Sequence, residues 1–211
     1  VLPLLFLLYH YAFGKKFKFD LFAPVLAITV IYIFLRLNIS KNQLAHVFYT
    51  TTFFQRLPSA FAAIFNYIRI LVLPFNLHME YGNGLFNFSN PQVIAGILVM
   101  ALLLICAVRK MKINRLVLFS IFWFFIALLP VLNFYPVNAY MREHWLYFPS
   151  IGFFLLLANG MMSFYNNRDR KPLVFAIIAL LLVFYSFLTV RQNGYWRYPI
   201  VFYKWNLSHA P

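Results

Sequence analysis

The feature that most constrains this chain is a succession of long apolar runs broken by short, strongly basic links. Six runs stand out, at 1–13, 21–37, 91–108, 116–132, 145–164 and 172–190. About 20 apolar residues in a helix cross the hydrocarbon core of a bilayer. Inside lipid, a helix also satisfies its own backbone polar groups. Only 10% of the 211 residues are charged and the mean hydropathy is +0.77. Soluble domains carry about 25% charged residues, so this chain lacks the polar surface to cover a water-soluble globule. The expected fold class is an all-α polytopic membrane helix bundle with about six spans. The first run is short and opens at Val1, which predicts a truncated first helix in a piece of a longer protein. A signal peptide does not fit, because no basic region precedes the run. The single cysteine, Cys106, permits no intrachain disulfide.

The net charge of +14 has a topological reading. Ten of the 18 basic residues lie in three links, 14–20, 109–115 and 165–171. Short basic links belong on the cytoplasmic side. Segments 38–90, 133–144 and 191–211 then face outward. A further stretch, 57–77, is long enough to span but holds Pro58, Asn66, Arg69 and Pro74. Were it to span, the link 109–115 would change sides and break the charge rule. It therefore reads as a re-entrant or in-plane helical segment, with Ser59, Asn66 and Arg69 along one face. A tilted spanning helix with a snorkelling Arg69 is the alternative. The expected domains are a membrane bundle over 1–190 and an outer-face aromatic and basic tail over 191–211.

Candidate chemistry gathers on the outer side. Arg142, Glu143 and His144 are three consecutive ionisable residues at the start of a run. An Arg offers a rigid fork of donors matched to phosphate. A neighbouring Glu can fix that fork or act as a base, and a His can donate to phosphate or move a proton. Together they suit an anionic head group, with a helix N-terminus beside it. An interfacial collar using Trp145 and Tyr147 as belt residues is the alternative. A second cluster, His78, Glu80 and Tyr81, precedes the Gly82-Asn83-Gly84 turn, and a polar turn accounts for it equally well. The tail interleaves Arg191, Arg197 and Lys204 with Tyr195, Trp196 and Trp205. Beside a span this is an interfacial segment rather than a nucleic-acid surface. Sequons stand at Asn38, Asn87 and Asn206. Zinc sites, Walker motifs, Ser-His-Asp triads and dinucleotide loops have no counterpart in the sequence.

The stretch Glu143-His144-Trp145-Leu146-Tyr147-Phe148-Pro149-Ser150-Ile151-Gly152 resembles a family pattern, Glu-[Arg/His]-x-Leu-Tyr-Leu-Pro-Ser-x-Gly, preceded by Asn-x-x-Pro. Here Asn133-Phe134-Tyr135-Pro136 stands in the preceding place. Leu73-Pro74 followed by Leu77, Glu80 and Tyr81 gives a second match. Arg191-Gln192-Asn193 followed by Trp196 gives a third. These motifs resemble those of membrane proteins that join a multispan C-type glycosyltransferase domain to tetratricopeptide repeats, the O-mannosyltransferase-like family. The chain looks like the C-terminal half of that membrane domain.

The resemblance implies transfer of a sugar from a polyprenyl-phosphate carrier to a protein or glycan acceptor, on the periplasmic or lumenal face of a bacterial inner membrane or endoplasmic reticulum. Lipid-phosphate ligands would be Arg142, His144 and Arg69. Glu143 would orient Arg142 or assist the acceptor, and His78, Glu80 and Tyr81 would form an acceptor or donor loop. The principal acid is expected upstream of Val1, as are the acids that would hold any divalent metal, so the fragment alone should be inactive. No metal site is expected in this chain itself. Expected partners are the lipid-linked donor, membrane lipids and the acceptor, with no nucleic acid. A non-catalytic scaffold subunit among other membrane subunits is the second reading.

Overall fold

The computed structural model describes residues 1–14, 16–40, 52–78, 81–82, 84–110, 113–134, 140–166 and 168–209. Glu80 and Pro136 lie outside them, as does Lys112. Eight α-helices and no strand occur among the described residues: α1 Leu2–Phe13, α2 Phe19–Ser40, α3 Phe53–Val72, α4 Pro91–Lys110, α5 Arg115–Leu128, α6 Ser150–Tyr165, α7 Lys171–Trp196 and α8 Pro199–His209. Two of them, α4 and α7, are long and apolar enough to cross a membrane. The apolar helices α1, α5 and α6 are shorter, as is the apolar part of α2.

Helix ends follow local chemistry. The side chain of Asn114 accepts from the amides of Leu116 and Val117, satisfying donors that α5 leaves open at its start. Its Nδ2 donates to Asn159 Oδ1 on α6 at 3.1 Å. At the start of α3, Gln55 Oε1 accepts from the Thr52 amide at 2.8 Å, half of a capping box. A 3-10 turn, Leu129–Val131, follows α5, and Asn133 then adopts φ 57°. Asn tolerates that left-handed conformation better than most residues.

Helix α5 is the hub, packing on α1, α4 and α6. The α5–α6 contact depends on Gly152. A Cβ there would strike the Ser120 carbonyl and lie 2.8 Å from the Phe124 amide. At Gly96, a Cβ would strike the Phe61 carbonyl, which permits the close α3–α4 crossing. The largest core joins Ile64, Tyr67 and Leu71 of α3 with Phe124, Leu128 and Met141. Two smaller cores join Leu5 and Leu8 of α1 with Leu118 of α5, and Ala107 of α4 with Ile121 of α5, and many of the remaining apolar side chains face outward. On α7, Leu180, Val183 and Val190 are 69%, 69% and 72% exposed. A helix apolar all round needs lipid or protein around it.

The two ends of the bundle differ. At one, Arg115 Nη1 approaches the Ala12 carbonyl at 3.5 Å, so the links after α1 and α4 meet. At the other lie the segment after α3, residues 140–149, the end of α7, and α8. Helix α3 meets this second end through Ser59 and Asn66, and its last turn meets the middle of α7 through Leu71. Ser59 donates to the Gly84 carbonyl at 3.0 Å. Asn66 donates to Gln92 Oε1 at 3.0 Å. Tyr185 donates to the Leu71 carbonyl at 2.8 Å. Ser59 and Asn66 are buried, but Arg69 is exposed, so the expected common face divides. Arg69 is turned about 60° around the helix from Asn66, which puts it at the edge of the buried face, where a charge can reach the wet side.

Candidate functional site

The run 145–164 does not begin as a continuous helix. Residues Glu143–Leu146 form a 3-10 turn, Pro149 caps α6, and α6 starts at Ser150. Arg142, Glu143 and His144 therefore stand before a turn rather than at the N-terminus of a long helix, and the helix dipole expected beside them belongs to residues further on. Pro149 explains the break, because it cannot continue an α-helix backward through its missing amide hydrogen.

Glu143 is the fulcrum of the site. Its Oε1 accepts from the His78 amide and from the Tyr81 hydroxyl, each at 2.6 Å. The His78 ring lies against Tyr81 with centroids 3.9 Å apart. Glu143 thus ties the segment after α3 to the segment before α6, across more than 60 residues of sequence. It does not hold Arg142 in an ion pair, contrary to one expected role. Arg142 is held otherwise: its amide donates to Tyr67 Oη at 3.2 Å, and its guanidinium lies 5.7 Å from the Trp145 ring centroid. Its Nε is buried with no hydrogen-bond partner. Burial raises the Glu143 carboxyl above the ordinary glutamate value, against the donors from Tyr81 and His78, which lower it. Burial first, and then Glu143, push the Tyr81 phenol up, so it stays protonated.

Next to this junction is a cavity of about 150 Å³. One wall is Leu77, His78, Arg142, Glu143 and His144. The facing wall is Gln192 and Trp196 of α7 with Phe202, Trp205 and Asn206 of α8. Helix α8 is tied down by Trp205, whose Nε1 donates to the Leu77 carbonyl at 2.9 Å and whose ring stacks on Tyr195 at 4.3 Å.

The structure therefore brings Arg142, Glu143, His144 and His78 into one cavity, with Tyr81 joined through Glu143. Arg69 is not among the lining residues; burial raises the Tyr81 and Tyr140 phenols, and the charge of Arg69 offsets part of that rise. Glu80 falls outside the described residues. Sequence reasoning missed Tyr67, Gln192 and the α8 wall. The Trp196 motif and the aromatic tail were the available signal, but they read as an interfacial segment. Asn206, one of the sequon residues, lines the cavity and donates to the Phe202 carbonyl at 2.8 Å. Among the described residues no group of three or more His, Cys, Asp or Glu could hold a metal ion.

No protein-family model matches the chain, and no solved structure matches it. Part of it is similar to known proteins. The protein O-mannosyl-transferase TMTC2 of Mus musculus is 34% identical over 102 residues, which is 46% of this chain and 12% of that protein. The Homo sapiens TMTC2 is 33% identical over 102 residues, with the same coverage. The Drosophila melanogaster protein O-mannosyl-transferase Tmtc3 is 30% identical over 95 residues, 44% of this chain and 10% of that protein. The matched stretch spans only about a tenth of the length of these curated relatives. Nearly half of the chain is thus similar in sequence to protein O-mannosyl-transferases.

Proposed function

We propose that this chain is part of the membrane domain of a glycosyltransferase that moves a hexose from a polyprenyl-phosphate carrier to an acceptor. The membrane reading is supported by α4 and α7 and by the exposed apolar surface of α7. The proposed topology puts the three basic links in the cytoplasm and the cavity on the periplasmic or lumenal face. Contact of Ser59 and Asn66 with second-end residues supports an in-plane or re-entrant helix over a span.

The observation that carries the chemistry is Arg142. Its Nε is buried beside the cavity and lacks a partner. A buried unmatched donor costs about 1–3 kcal/mol, more when charged, and an anionic ligand would remove that cost. A lipid phosphate supplies acceptor oxygens in the geometry a guanidinium prefers. Arg142 would bind the phosphate and stabilise the charge it gains as the sugar leaves. His144 and His78 would add donors at the rim. Glu143 and Tyr81 would hold the two segments in register, with the carboxyl close enough to assist an acceptor hydroxyl. The acceptor would be a protein, as the names of the similar proteins suggest. The resemblance's metal finds no ligand set in the described residues, and no step here depends on one.

The test is sugar transfer by the full-length protein carrying Arg142→Ala. Transfer should fall at least tenfold. Undiminished transfer would refute the phosphate-binding role.

A further inference from the structure

The cavity has two chemically different walls, and the proposed function uses only one. Arg142, His78 and His144 suit a phosphate. The facing wall combines exposed and half-buried aromatic rings with two amides, Gln192 and Asn206. A bare phosphate gains nothing from aromatic faces, since it is satisfied by N–H donors and positive charge. A ligand with apolar C–H faces and hydroxyls around its edge needs both, and a pyranose ring is such a ligand.

The wall is also pre-organised. Trp196 and Phe202 pack with centroids 4.8 Å apart, and Trp205 is held by Tyr195 and the Leu77 carbonyl. Little ordering would remain to oppose binding. Gln192 is half-buried, lines the cavity, and its amide makes no hydrogen bond with the described residues. The volume, about 150 Å³, is that of a cavity able to take one benzene-sized ring.

We infer that the α7–α8 wall, through Gln192 and Trp196, binds the sugar ring of the donor, while Arg142 takes the phosphate. This rests on the glycosyltransferase reading above and names the residues that read the sugar within it.

The experiment measures binding to the full-length protein in lipid nanodiscs. The probes are a polyprenyl phosphate and the same carrier bearing one hexose. Gln192→Ala should weaken the hexosyl carrier roughly three- to tenfold, the net worth of one or two neutral hydrogen bonds. It should leave the bare carrier within twofold. Trp196→Ala should do the same to a greater degree, and Arg142→Ala should weaken both by tenfold or more. Gln192→Met keeps the side chain's length without its amide and should match Gln192→Ala, so the outcome does not depend on Trp196→Ala folding. The inference is overturned, with the glycosyltransferase reading intact, if only Arg142→Ala has an effect. Equal weakening of bare and hexosyl carriers by Gln192→Ala overturns it too. If Arg142→Ala changes neither ligand, the underlying reading fails instead.

Discussion

Removing the Glu143 carboxyl should release the segment that follows α3. Two donors, the His78 amide and the Tyr81 hydroxyl, converge on one oxygen at 2.6 Å each. Hydrogen bonds to charged groups contribute about 1.5–3 kcal/mol each. Glu143 is half-buried, which places each bond at the lower end of that range, or about 3 kcal/mol for the pair. Since about 1.4 kcal/mol is tenfold in an equilibrium, Glu143→Ala should raise local opening on the order of a hundredfold. The His78 amide reports this directly, because its own N–H makes one of the bonds. Hydrogen–deuterium exchange of that amide in the full-length protein, at fixed pH and temperature, should accelerate by about that factor. Glu143→Gln retains a carbonyl acceptor and should accelerate exchange roughly tenfold or less. Tyr81→Phe removes one bond, and its effect should fall between that of Glu143→Gln and none. Exchange of the His78 amide within threefold of wild type in Glu143→Ala would show that the junction is held by something else.

Four other outcomes are expected. Gly152→Ala should force α5 and α6 apart, costing about 1–3 kcal/mol as in other overpacked interiors, visible as a lowered unfolding midpoint; an unchanged midpoint would contradict the close approach at the Ser120 carbonyl and Phe124 amide. Ser120→Ala should be neutral or stabilising by about 1 kcal/mol, because the Ser120 hydroxyl is buried without a partner. A clear loss of stability would reveal a missed bond. Trp205→Phe keeps an aromatic ring but loses the bond to the Leu77 carbonyl, so α8 should become more sensitive to protease while α4 does not. The raised Glu143 carboxyl fixes a pH trend. Its folded pKa exceeds the unfolded one, so the folded state binds more protons between the two values. Stability from this group therefore falls as pH rises from the unfolded to the folded value and is level above it. Comparing unfolding midpoints of wild type and Glu143→Gln across that window should show the slope in the wild type alone.

The candidate site was legible in part. Arg142, Glu143 and His144 are adjacent in sequence and flank an apolar run, so their grouping needed no structure. The partner of Glu143 could not be read the same way. Arg142 is its neighbour in sequence, yet the carboxylate turns to His78 and Tyr81, because extended backbone at Arg142 sends successive side chains in opposite directions. Arg69 was grouped with Ser59 and Asn66 by helical spacing. The two uncharged residues are buried against α4 and the segment before it, while Arg69 stays in contact with solvent. The wall of α8 escaped altogether. Its aromatics carry no periodic signature, and the Trp205 bond to Leu77 joins residues 128 apart.

By itself the sequence determined an all-helical fold of apolar helices, and it is the basis for the proposed membrane setting and for its two unlike ends. Apolar runs and clustered Lys and Arg act through solvation and membrane-surface charge, which depend on composition along the chain and not on contacts. It also marked Gly152 and Asn133 as special, through the family pattern they sit in. Only the tertiary structure decided why. Gly152 is needed because α5 crosses α6 too closely for a Cβ, and Asn133 because the chain turns through positive φ there. The same holds for the cavity. Its walls come from segments brought together by helix packing, and a site built from distant segments exists only once those helices have chosen their neighbours.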